Sequence, residues 1–255
     1  MRVVVLVPDN SFRALQRALR ARDVIERAHD VGSLARRVSG DVDAVVIDPS
    51  ILSDTEWARA RQMLESPDLP VLLYAALDAS NVRRIVAASG IGVHEVMLRA
   101  IDDDPAAIRR RLDTLRSPAP PTRVLSAIAG RIAQLPTLLQ SATVPLFCAG
   151  KVPRWADGLV AIAQLPRRSV DRWFGSAGLA GTASLLDVAR LARAWVPIVE
   201  QKLTPTEVAI RAGFGRSRML AVHARRIVGV SPMHFAVKLN ADEFVARLTR
   251  YATRG

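Results

Sequence analysis

The stretch LTPTEVAIRAGFGRSRMLAVHARRIVGVSP, residues 203 to 232, decides how the second half of the chain is read. It opens on a helix start: Thr204 stands at a capping position, Pro205 follows at the first helical position, and Glu207 completes a capping box. Gly213 ends that short helix, and Ala209, four residues earlier, is small where two helices must approach closely. A second helix is expected from Arg216 to Val228, before Gly229 and the Ser231-Pro232 pair. Helical spacing turns Met219, Leu220, Ala224, Ile227 and Val228 toward a core and leaves Arg216, Ser217, Arg218, Val222 and Arg225 outside. Two short helices joined by a tight turn make a helix-turn-helix.

Residues 213 to 232 carry five basic residues and no acid. One reading is a solvated arginine-rich face. The other is a helix that enters a DNA major groove, where an arginine can grip guanine O6 and N7 with two hydrogen bonds. A weaker copy lies upstream in RWADGLVAIAQLPRRSVDRWFGSAG, residues 154 to 178. There Arg167, Arg168, Asp171 and Arg172 are expected outward and Val170, Trp173 and Phe174 inward. Between the two copies, TASLLDVARLARAWVPIVEQ has the length and pattern of one long connecting helix.

Charge separates the two halves of the chain. Residues 1 to 115 hold 16 arginines and 17 acids, whereas residues 116 to 255 hold 20 basic residues and 7 acids, so the net charge of +12 belongs wholly to the second half. Such asymmetry points to an acidic polymer or a membrane surface as the partner of that half. A single cysteine, Cys148, excludes an internal disulfide framework and a multi-thiolate metal site, and reads as a small buried apolar residue. His29, His94, His223 and His234 do not cluster at metal-ligand spacing, and no nucleophile and base stand together. Neither a metal, a cofactor nor an enzymatic activity is expected. Because no apolar run reaches the length of a membrane span and the opening Val3 to Val7 run is too short for a signal-peptide core, a soluble cytoplasmic protein is expected.

The first half alternates short apolar runs with amphipathic stretches: VVVLV then SFRALQRALR, AVVID then SDTEWARARQML, VLLYA then SNVRRIVAAS, HEVML then DPAAIRRRL. With a weak second strand near Val24 and Ile25, these make five strand-helix units, the pattern of an α/β domain with a parallel sheet covered on both faces. Ser53 with Glu56 forms a capping box, and Asp104 precedes Pro105 at another helix start. Asp9 follows the first strand and Asp48 the third, at the carboxyl ends where such sheets carry their functional crevice.

These residues resemble a two-component receiver of the flavodoxin-like (βα)5 type. The resemblance implies Asp48 as phosphoacceptor and Asp9 as one of two acids that hold Mg²⁺. Pro8 stands where the first of the paired acids belongs, Ala75 where a hydroxyl belongs, and Arg99 where a lysine belongs. A degenerate, phosphate-independent receiver used for dimerisation or partner binding is the favoured reading, in which Asp48 caps a neighbouring turn. A phosphorelay response regulator, or a small-molecule-sensing interaction module, is the alternative. GIGVHE (90 to 95) and GFGRSR (213 to 218) lack the context of a dinucleotide loop.

The second half resembles the AraC/XylS transcription regulators across residues 135 to 240. The resemblance rests on RLARA at 190 to 194, on GF at 213 to 214 and on GVSP at 229 to 232, at the family's spacing. It implies an all-α domain of two helix-turn-helix motifs joined by a long helix, with recognition helices in successive major grooves. Its base-reading positions fall on Arg168, Asp171 and Arg172 in the first motif and on Ser217, Arg218 and Val222 in the second, the helices starting near Arg167 and Arg216. Asp171 is expected either to accept from a cytosine amino group or to pair with Arg167 or Arg168 along the helix. Pro166 replaces a serine cap, Gln164 the turn glycine, Leu220 a core phenylalanine and Val222 a polar reader, while Pro197 interrupts the connecting helix.

The expected organisation is a receiver-like domain at 1 to 116, a linker and connecting helix at 117 to 134, and the DNA-binding domain at 135 to 255. RSPAPPTR, residues 116 to 123, is expected to be a semi-rigid linker that its three prolines keep from being helical. The expected partners are double-stranded DNA, RNA polymerase, and a second copy of the chain through the first domain, with no membrane.

Overall fold

A computed structural model describes residues 1–38, 42–65, 69–115, 118–148 and 156–253. The chain divides into two compact units, one built on Met1–Pro118 and the other running from Ala119 to the C-terminus apart from a short excursion that begins at Cys148.

The first unit alternates strand and helix: β1 (Arg2–Leu6), α1 (Asp9–Ala18), β2 (Val24–Arg27), α2 (Val31–Val38), β3 (Ala44–Ile47), α3 (Asp54–Leu64), β4 (Val71–Ala75), α4 (Ala79–Gly90), β5 (Glu95–Leu98) and α5 (Pro105–Asp113). All four strand pairings are parallel and the order across the sheet is β2-β1-β3-β4-β5. Each parallel step needs a helical crossover, which the amphipathic stretches supply. The central strands β3, β4 and β5 are buried along their whole length, as strands covered on both faces must be. One side of the sheet, Val3, Val5, Ala44, Val46, Leu72, Tyr74 and Met97, packs with Ala14, Leu15 and Ala18 of α1 and Ile108 and Leu112 of α5. β2 is an edge strand with Val24 exposed, which is why its sequence signal is weak.

The helix starts follow local chemistry. Ser53 and Glu56 form the full capping box of α3, and Asp104 accepts from the Ala107 backbone N–H ahead of Pro105.

The second unit is helical: α6 (Pro120–Ile132), α7 (Thr137–Cys148), α8 (Ala156–Ala163), α9 (Arg167–Ser176), α10 (Thr182–Val199), α11 (Pro205–Arg211), α12 (Ser217–Val228), the four-residue α13 (Phe235–Lys238) and α14 (Ala241–Ala252). The expectation that 116 to 123 is a non-helical linker is corrected here. Pro120 and Pro121 stand in the first turn of α6, where no backbone N–H is needed for the helical ladder, so proline starts the helix instead of breaking it. Residues 116 and 117 lie outside the described residues.

α10 is the hub of this unit. It packs against α6, α8, α9, α11, α12, α13 and α14, and eleven of its residues are buried. Trp195 of α10 stacks on Phe235 and packs at a tilt against Phe244, whose ring centroids lie 6.0 and 4.5 Å away, so α13 and α14 close the core around one aromatic cluster. Pro197 falls inside the last turn of α10, and the helix continues only to Val199. At that position the lost backbone bond costs little of the helix. No helix among the described residues is long and apolar enough to cross a membrane.

Candidate nucleic-acid interface

α11 begins at the capping box of Thr204 and Glu207, whose side chain and backbone groups satisfy each other's orphan donors. It ends at Gly213, whose φ of +84° is a left-handed conformation that glycine adopts without strain. Ala209 is fully buried where α11 meets α12. α12 then runs twelve residues to Gly229, again left-handed at φ +74°. Arg247 of α14 donates to the Val228 carbonyl, placing a cation at the negative end of the α12 dipole.

One face of α12, formed by Leu220, Ala224, Ile227 and Val228, is buried. Arg216, Arg218, Val222 and Arg225 are exposed, and Ser217 is partly covered. Met219, expected in the core, is exposed instead. It lies about 100° round the helix from Leu220, and that step carries it past the edge of the buried arc.

α9 repeats this layout. Val170 and Phe174 are buried, while Arg167, Arg168 and Arg172 are exposed. Trp173, expected inward, is exposed; Val170 and Phe174 already fill the inner arc. The turn before α9 places Gln164 at φ +51°, a left-handed conformation that is uncommon for a residue with a side chain, at the point that corresponds to Gly213. Arg154 and Trp155, the start of the first copy as read from sequence, lie outside the described residues.

The shortest contacts of Asp171 are to Thr182 at the start of the next helix. Its Oδ1 accepts from the Thr182 backbone N–H at 2.7 Å and from the Thr182 hydroxyl at 2.5 Å, capping the start of α10. Arg167 Nε stays 3.8 Å from its other oxygen. Asp171 thus ties α9 to α10 through one of its oxygens.

A second carboxylate fixes α12. Asp187 of α10 accepts from Arg226 Nη2 at 2.7 Å, and His223 Nδ1 lies 2.8 Å from the same oxygen. Arg190, the first residue of RLARA, lies 3.7 Å from Asp187 and covers the Phe214 ring at 5.9 Å. Both exposed arginine faces are therefore held to one helix by a buried or half-buried acid.

In the crevice of the first unit Asp48 caps a neighbouring turn, as the degenerate-receiver reading expects. Asp48 is fully buried; its Oδ1 accepts from the Ser50 N–H at 2.9 Å and caps a 3-10 turn, Pro49–Ile51. Its Oδ2 accepts from Arg99 Nη1 at 2.8 Å, and that nitrogen also donates to Ser11 Oγ at 3.1 Å. Asp9 opens the first turn of α1, stands mostly in solvent, and pairs with Arg27 at 2.5 Å. The turn that aims Arg99 is built by acids: Asp102 accepts from the Leu98 N–H and Asp103 from the N–H of Ala100, which is left-handed at φ +70°. Among the described residues no three His, Cys, Asp or Glu side chains gather as a metal site.

Comparison with protein-family models, curated proteins and solved structures finds no match.

Three side chains of these helices escape sequence reasoning. Met219 and Trp173 show as outward only once the neighbouring buried residues are located. Asp187, inside an apolar helix beside Arg190, is the signal that the His223 and Arg226 anchors were missing a partner, since an acid on a buried face needs one.

Proposed function

We propose that the chain is a sequence-specific, double-stranded-DNA-binding transcriptional regulator of the AraC/XylS type. In this reading α8 with α9 and α11 with α12 are two helix-turn-helix units, α10 connects them, and α9 and α12 enter successive major grooves. One observation carries it: α12 has its inner face buried and its far end anchored to α10 through Asp187, while Arg218, Val222 and Arg225 point outward from a stretch without acids. A helix held rigidly with arginines free on its outer face is what major-groove readout requires. The excess positive charge of the second half would supply the phosphate attraction, with steep salt dependence.

The first unit is proposed as a phosphate-independent pseudo-receiver that dimerises the chain or takes partner input. The support is the Asp48–Arg99 pair, which occupies the oxygen a phosphoryl group would need, and the diversion of Asp9 to Arg27. Such a regulator works in the cytoplasm and, bound at a promoter, meets RNA polymerase.

The test is selection of genomic fragments by the intact protein at about 150 mM salt, where nonspecific binding is weak. The expected result is one enriched motif spanning about two helical turns, roughly 20 base pairs. With Arg218→Ala, affinity for that motif should fall by about 1 to 3 kcal/mol while affinity for random DNA holds, as for a base contact. Absence of any enriched motif would refute the reading.

A further inference from the structure

We propose that Val222, flanked by Met219, determines the specificity of α12 by contacting the 5-methyl group of a thymine in the major groove; the inference rests on the DNA-binding reading above. Leu220, Ala224 and Ile227 are buried, so the face across the helix from them centres on Val222. Arg218 stands one turn before it and Arg225 one turn after. Val222 is 50% exposed and Met219 44%, two apolar side chains that the core of the protein leaves in water.

Their surroundings choose the occupant. Residues 213 to 232 have four arginines and no acid, so the face complements a polyanion. Valine has no polar atom with which to bond a base edge. Among the groups that the major groove displays, the thymine methyl is the apolar one, and it is the group such a side chain can recognise. A β-branched side chain on a helix also has one strongly preferred rotamer, so the contact is made with little ordering cost.

α9 supplies the contrast. Val170 and Phe174 are its buried residues, and Arg168 and Arg172 repeat the spacing of Arg218 and Val222. At the centre of the outer face α9 thus carries an arginine, which grips guanine, where α12 carries a valine, which takes a methyl group. The two helices read different chemistry, and the site is an asymmetric one that the protein engages in a single direction.

The experiment takes the enriched sequence from the fragment selection and replaces each thymine singly with deoxyuridine, which removes the methyl and leaves the hydrogen-bonding edge intact. Binding of the intact protein is measured on each duplex. The expected result is a loss of about four-fold at one thymine, the worth of burying about one methyl group. That loss should disappear in Val222→Ala, an exposed substitution whose fold is checked by thermal unfolding, and persist in Arg218→Ala. Tolerance of deoxyuridine at every position, or a loss that persists in Val222→Ala, overturns the inference while leaving specific DNA binding in place. If selection yields no motif, the DNA-binding reading falls and the inference with it.

Discussion

Arg99 closes the crevice of the first unit by donating from one nitrogen to both Asp48, at 2.8 Å, and Ser11, at 3.1 Å. Asp48 is buried and has its second oxygen on the Ser50 N–H, so both oxygens are already satisfied. A phosphoryl donor would have to break a charged, sequestered pair before attack, and Asp9, the acid expected to help hold Mg²⁺, is paired with Arg27. The protein is therefore expected to give no chemical-shift change around Asp48 with beryllium fluoride and Mg²⁺. A titrating shift at Asp48 and its neighbours would revive the phosphorelay.

The same pair makes a stability prediction. Arg99→Ala strands a buried carboxylate and should cost about 2 to 3 kcal/mol, less than for a fully buried pair because Arg99 keeps some contact with water. Asp48→Asn with Arg99→Ala should recover part of that loss, since the stranded charge is gone. Denaturant unfolding of the single and double variants measures both; a double variant as unstable as the sum of the singles would mean that the pair is not coupled.

Asp171 separates a structural acid from a base reader. Because it caps Thr182, Asp171→Ala is expected to lower stability by about 1 kcal/mol and to weaken binding to all site variants alike, whereas Asp171→Asn, which still accepts a hydrogen bond, should retain most of both. A changed base preference at one position in either variant would restore the reader role.

The strand-helix alternation of the first half was legible because parallel strands leave continuous apolar runs and each crossover helix announces its start, as Ser53 and Asp104 do. The exposed arginines of α9 and α12 were legible for a similar reason, since Leu220 with Ala224 and Val170 with Phe174 mark the buried arcs. The failures have a common cause. Met219 and Trp173 are apolar, and pattern reading assigns apolar residues to the core; yet an inner arc has limited width, and theirs was already filled. Asp171 was read within its own helix and Asp187 was not singled out, because their partners, Thr182 and Arg226, are eleven and thirty-nine residues away. Side-chain contacts at that range leave no local periodicity. Pro120 and Pro121 show that proline has opposite meanings at the start and in the middle of a helix, and only the location of the first turn tells which applies.

Asp187 holds α12 from behind. Its removal should leave α11 and α12 folded but free the Arg226 and His223 end, so Asp187→Ala is expected to cost about 2 kcal/mol in stability. Affinity for the selected site should fall further than affinity for random DNA, because orientation matters to base contacts more than to phosphate contacts. Competition binding on the two DNAs checks this; equal loss on both would mean that Asp187 acts on overall stability alone.

His94, at the entrance to β5, carries a pH dependence of stability. Its Nδ1 accepts from the Val71 N–H at 3.3 Å, beside the backbone bond that the His94 amide N–H donates to the Val71 carbonyl at 2.9 Å, so the neutral imidazole adds one acceptor to the junction of β4 and β5. Burial holds its pKa below the ordinary value of 6.5. The unfolded chain then takes up a proton near 6.5 that the folded chain still refuses, so the stability contributed by neutral His94 is fully present above that pH. It declines as the pH falls from there toward the lower folded value, below which both states are protonated and the decline stops. His94→Asn, which has no titrating group but retains an acceptor, should lack this component. Thermal unfolding of both proteins between about pH 8 and pH 5 should therefore give profiles that run parallel above 6.5 and diverge below it, the parent chain falling more steeply. Parallel profiles over the whole range would show that His94 stays coupled to solvent and that burial leaves its proton affinity the same in the folded and unfolded chain.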